Sequence, residues 1–102
     1  MILKKLWVDD IREAPDHTWE VARTFHDAVY MLDHFDYDAV SLDNDLGEES
    51  FYGNCPMEGY DILQWLIFRK MNGKHAPMIV RCHSANPVRS HDMLQDIGKY
   101  FS

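Results

Sequence analysis

The chain has 102 residues, of which 46% are hydrophobic and 13% aromatic, enough for one globular domain with a single core and too few for two. Ten Lys and Arg against seventeen Asp and Glu leave a net charge of −7 with no basic run, which argues against a grip on duplex DNA through its phosphates. A small anion or an RNA end, held by a few local positive groups, stays within reach of such a chain.

No apolar run approaches the roughly 20 residues of a membrane helix. Met1–Trp7 has neither the long apolar core nor the cleavage site of a secretory leader. Cys55 and Cys82 are far apart and read as free thiols of a reducing compartment. A single cytoplasmic domain over residues 1–102, with no membrane partner, is expected.

In chain order, residues 2–8 are mostly apolar and read as a strand closed by Asp9 and Asp10. Residues 11–17 are broken by Pro15 and too short for a helix, so a loop or a single helical turn is expected. Residues 19–24 alternate apolar and polar side chains, the period of a half-buried strand. Thr24 is a suitable N-cap for a helix over 25–35, whose apolar face is Phe25, Ala28, Val29, Leu32 and Phe35. Asp36 and Tyr37 read as a turn, and residues 38–43 as the central strand.

Residues 47–59 carry the breakers Gly53, Pro56 and Gly59 and read as a long irregular loop of the kind that covers or forms a site. A helix over 60–71 follows, ended by Asn72 and Gly73 in a left-handed C-cap. Residues 77–83 give a fourth strand. Asn86 and Pro87 then open a last helix running to about Ile97, as N-cap and first helical residue. Strands alternating with helices imply a parallel sheet with right-handed crossovers.

In a parallel sheet the strand C-termini share one edge, where ligand crevices form. Asp9-Asp10, Asp43-Asn44-Asp45 and His83-Ser84 would meet there. Carboxylates so close cannot all stay ionised unaided, and a hard divalent ion with oxygen ligands, Mg²⁺ or Mn²⁺, is the natural occupant. Asp9, Asp10, Asp43 and Asp45 are the candidate ligands. An EF-hand reading of Asp43-Asn44-Asp45 fails, because that loop needs Gly at its sixth position and Glu at its twelfth, where Glu48 and Asn54 stand. His83 supplies a group that titrates near neutral pH. Ser84, Asn86 and the N–H groups of the helix start could hold a phosphate, with Arg12 as a local cation. Asn44 could orient a phosphate or a water but cannot transfer protons near neutral pH.

Asp9-Asp10, residues 38–43, Gly59-Tyr60-Asp61-Ile62-Leu63 and Ser84-Ala85 resemble the motifs of response-regulator receiver domains. The resemblance implies a metal-binding pair at Asp9 and Asp10, a phosphoacceptor at Asp43, and a main-chain carbonyl at Asp45 completing the metal site. Leu6-Trp7-Val8-Asp9-Asp10-Ile11-Arg12, Ser41-Leu42-Asp43-Asn44-Asp45-Leu46-Gly47 and His83-Ser84-Ala85-Asn86-Pro87 look more like the cyclic-phosphate processing receiver domains. That likeness spans nearly the whole chain.

It implies a small receiver-like, flavodoxin-like three-layer α/β domain with about four parallel strands. The first helix would be shortened and the fifth strand missing or vestigial. It also implies processing of a cyclic phosphate such as an RNA end. The residue after Asp43 is often histidine in that family and is Asn44 here. The lysine of true receivers has only Lys99 as a distant substitute. A metal-dependent phosphohydrolase with Asp43 and His83 as its catalytic residues is the expected function. The other reading is a non-catalytic receiver-like module that binds a partner protein or a phosphorylated ligand.

Overall fold

The computed structural model describes residues 3–47 and 51–101, without the side chains of residues 51 and 52. The elements are β1 (Lys5–Val8), β2 (Trp19–Ala22), α1 (Phe25–His34), β3 (Ala39–Leu42), β4 (Phe51–Tyr52), β5 (Cys55–Pro56), α2 (Gly59–Met71), β6 (Ile79–Cys82) and α3 (Pro87–Tyr100). The main sheet is all parallel in the order β2-β1-β3-β6, and β4 and β5 form a separate antiparallel hairpin. This is the α/β architecture of a receiver-like domain.

Each helix starts where its sequence offers a cap. Thr24 accepts from the Asp27 N–H at 3.1 Å, and Asn86 caps α3 with Pro87 in its first turn. At α2 the side chains of Glu58 and Asp61 bond reciprocally to each other's backbone N–H in a capping box. The helix ends at Asn72, followed by Gly73 at φ 74°.

Strand register assigns the two faces of the sheet. One face carries Leu6, Val40 and Val80 in one row and Ala22, Val8, Leu42 and Cys82 in the next. These pack with Phe25, Ala28, Leu32, Ile62, Leu63, Leu66 and Met93 into one core. The three helices form a single layer over that face. Arg69 of α2 reaches Asp33 of α1 at 2.7 Å, and Gln64 of α2 reaches Asp96 of α3 at 2.7 Å. Right-handed crossovers from β2 to β3 and from β3 to β6 both run on this side.

The opposite face carries Trp19, Lys5, Ala39 and Ile79 in one row and Val21, Trp7, Ser41 and Arg81 in the next. Among the described residues no helix lies on it, so the third layer expected from the sequence is not helical. A helix between β1 and β2 would have supplied it, and residues 9–18 form a loop instead. That loop is tied down by Asp9 Oδ1, which accepts from the N–H groups of Ile11 and Arg12 at 2.9 and 2.8 Å. Arg23 adds bonds to the carbonyls of Asp9 and Arg12, and the Trp7 indole N–H donates to the Arg12 carbonyl.

Four expectations shift. The first strand covers Lys5–Val8, the expected Ile2 lying outside the described residues. The long loop contains the β4–β5 hairpin. Tyr37, expected in a turn, is fully buried, with its hydroxyl donating to Glu20. The last helix, expected to run to about Ile97, continues to Tyr100, with Lys99 in its last turn.

Candidate functional site

Backbone pairing continues one residue past each strand end. The Asp9 N–H donates to Ala22, that of Asp43 to Val8 at 2.8 Å, and that of His83 to Leu42 at 3.0 Å. The three polar residues are thereby aligned on one sheet edge. A cleft of about 220 Å³ opens there, lined by residues 9–12, Asp43, Asp45 and Ala85. Asp9, Asp10 and Asp43 each offer a carboxylate oxygen to a group whose members all lie within 4.8 Å of one another. Asp45 is exposed at the rim and does not join that set.

The carboxylates are held unequally. Burial raises the pKa of Asp9, but hydrogen bonds from Arg12 N–H, Ile11 N–H and the His83 ring outweigh it and leave the group below the ordinary value. It stays an acceptor. Burial also raises Asp43, and the neighbouring charges of Asp9, Asp10 and Asp45 push it higher, against one bond from the Asn44 N–H. A buried carboxylate beside three others is costly to ionise, and an added positive charge relieves that cost.

His83 is enclosed on three sides. Its ring lies flat on Trp7, with centroids 3.7 Å apart and planes 8° apart. Nδ1 is 2.7 Å from Ser41 Oγ, and Nε2 is 3.0 Å from Asp9 Oδ2. Burial holds the imidazole below its ordinary pKa, with Asp9 pulling the other way. Both ring nitrogens are occupied and His83 does not line the cleft.

The expected phosphate ligands separate in the same way. Arg12 lines the cleft, with one guanidinium N–H on the His83 carbonyl at 3.1 Å. Asn44 is fully buried, and its Oδ1 accepts from the Tyr60 N–H at 3.0 Å while its carbonyl accepts from Gly59 at 2.9 Å. It clamps the start of α2 to the end of β3, leaving its Nδ2 without a partner among the described residues. Ser84 Oγ accepts from the Asn86 N–H, and Asn86 Oδ1 takes the N–H groups of Val88 and Arg89, each at 3.1 Å. The helix start that was to receive a phosphate is therefore capped from within. Arg89 pairs with Glu58 at 3.2 Å.

Two close approaches shape the floor and rim. A Cβ on Gly59 would stand 1.9 Å from the Asp43 carbonyl oxygen, so only glycine lets α2 start against the Asp43–Asn44 backbone. Gly47, at φ 74°, brings the loop after Asp45 to within contact of the Asp10 carboxylate. Ser41 and Trp7, which hold His83, stand within the quoted motifs, but the sequence reading gives them no role in the site. The available signal was a hydroxyl in the middle of an otherwise apolar strand.

Comparison with known proteins agrees with this arrangement. No curated protein and no solved structure matches the chain significantly. The model of the cyclic-phosphate processing receiver domain matches residues 4–99, which include all three strand ends of the site and all three helices but for the last residue of α3. With that match spanning nearly its whole length, the chain belongs to the family of cyclic-phosphate processing receiver domains.

Proposed function

We propose that the domain binds a divalent cation, Mg²⁺ or Mn²⁺, at Asp9, Asp10 and Asp43, and with it hydrolyses a cyclic or terminal phosphate on a nucleotide or RNA end. The observation that carries the reading is the cluster of three carboxylates within 4.8 Å, one of them driven above its ordinary pKa by burial and by its neighbours. The donor set fits a hard cation, since all its atoms are carboxylate oxygens and the open cleft leaves coordination sites for water or phosphate. Bound there, such an ion would supply charge neutralisation and polarisation of the phosphate.

The chain's own residues would do the rest. Asp9, pinned by two backbone N–H groups and His83, presents its carboxylate in a fixed orientation. Asp45 lines the rim of the cleft outside that set, and Arg12 supplies the positive side chain of the cleft lining. In hydrolysis, water adds to phosphorus, one ester P–O bond of the ring breaks, and the leaving oxygen takes the proton.

The second reading, a module that binds a phosphorylated ligand or a partner protein without turnover, draws on one observation. Among the described residues, neither an imidazole nor a lysine lines the cleft. Among the described residues no helix is long and apolar enough to cross a membrane.

The test is ³¹P NMR of 2′,3′-cyclic nucleotides with Mg²⁺, comparing the wild type with Asp43→Asn. Conversion to a monoester by the wild type alone supports hydrolysis. A broadened, unconverted signal refutes hydrolysis and supports the binding module. An unperturbed signal refutes both phosphate readings.

A further inference from the structure

A hydroxyl in the centre of a fully buried strand requires explanation, because burying it without a partner is costly where alanine would cost nothing. Ser41 is such a residue: β3 reads Ala-Val-Ser-Leu, all buried, and Ser41 is 5% exposed. Its Oγ makes one contact that matters here, 2.7 Å from Nδ1 of His83. It does not line the cleft, so it is no nucleophile.

We propose that Ser41 is a positioning residue that fixes His83 as its Nε2–H tautomer and through it orients the Asp9 carboxylate. The proposal rests on the metal reading above only where it concerns what Asp9 is oriented for. The protons are assigned by elimination. Asp9 already accepts from two backbone N–H groups through Oδ1, and the hydrogen between Nε2 and Oδ2 is assigned to the imidazole, which donates to the same carboxylate. With that hydrogen on Nε2, the Ser41 hydroxyl, 2.7 Å from Nδ1, is the group placed to donate to it.

Stacking on Trp7 fixes the plane of the ring, and the two hydrogen bonds fix its rotation within that plane. Asp9 Oδ2 thus receives one N–H and Oδ1 receives two, and the carboxylate cannot rotate away from Asp10 and Asp43. Partners of a metal ligand that set its orientation typically contribute about 10–100-fold to metal affinity.

The test uses the metal-free protein near neutral pH, with long-range ¹H–¹⁵N correlation of the imidazole rings, followed by Mn²⁺ titration. Wild type and Ser41→Thr, which keeps the hydroxyl, are expected to show His83 as Nε2–H. Ser41→Ala is expected to lose the single tautomer and to bind Mn²⁺ about tenfold more weakly. An Nδ1–H ring in the wild type overturns the proposal. So does a Ser41→Ala protein with the wild-type ring pattern, or one with the wild-type Mn²⁺ affinity. A wild type that binds no Mn²⁺ refutes the metal reading instead, and the ring spectra alone then decide the role of Ser41.

Discussion

Replacing Gly59 with alanine perturbs the joint between the fold and the site. The added methyl would sit 1.9 Å from the Asp43 carbonyl oxygen and 3.0 Å from the Asn44 Cα. Side-chain carbons essentially never approach other atoms closer than 3.0 Å, so the α2 start and the β3 end must part by at least about 1.1 Å. That separation strains the bond from Gly59 N–H to the Asn44 carbonyl and the bond from Tyr60 N–H to Asn44 Oδ1. Overpacking costs about 1–3 kcal/mol, and each lost hydrogen bond about 1 kcal/mol. A destabilisation of about 3–5 kcal/mol corresponds to a fall in Tm on the order of 15–30 °C for a domain of this size.

Thermal unfolding followed by circular dichroism measures this, with Gly98→Ala as the control. A Cβ at Gly98 meets nothing within 4 Å, and Gly98 lies inside α3, so that change should stabilise by about 0.5–1 kcal/mol. A Gly59→Ala protein within about 1 kcal/mol of wild type would refute the close-packing argument.

Three further outcomes are expected. The raised pKa of Asp43 means that the folded state binds that proton more tightly than the unfolded one, so its contribution to stability falls as pH rises above 3.8 through the folded pKa. Metal-free Asp43→Asn should therefore melt higher than wild type near neutral pH, and the difference should vanish in acid; equal Tm values near neutrality would contradict it. Asp9 has the opposite sign, with stability lost as pH falls through its depressed pKa, and Asp9→Asn should destabilise near neutral pH in the same melting assay. Asn86→Ala removes the α3 cap at a cost of about 1 kcal/mol. It should leave Mn²⁺ affinity unchanged, because Asn86 serves Val88 and Arg89 rather than the cleft.

The strand ends were legible because a parallel sheet has only one place to put them. Apolar runs ending in Asp9, Asp43 and His83 therefore predicted one site without any tertiary information. The residues around them were harder to assign. Asn44, Ser84 and Asn86 carry the oxygen and amide groups that a phosphate site uses, and helix caps use the same groups. A cap a few residues away in sequence wins that competition, as Asn86 does for Val88 and Arg89. Tyr37 follows Asp36 and looks like turn chemistry, yet its ring fills the core and its hydroxyl finds Glu20, seventeen positions away in the chain. The missing helical layer is half visible, since residues 11–17 read as too short and broken for a helix. The β4–β5 hairpin, two residues per strand, lies below what alternation can reveal.

The most direct measurement is Mn²⁺ binding followed by water-proton relaxation, on wild type and Asp43→Asn side by side. The expected result is saturable binding by the wild type, severely weakened when Asp43 loses its charge. Equal affinities, or no binding by either protein, would contradict the assignment of Asp9, Asp10 and Asp43 as a metal site.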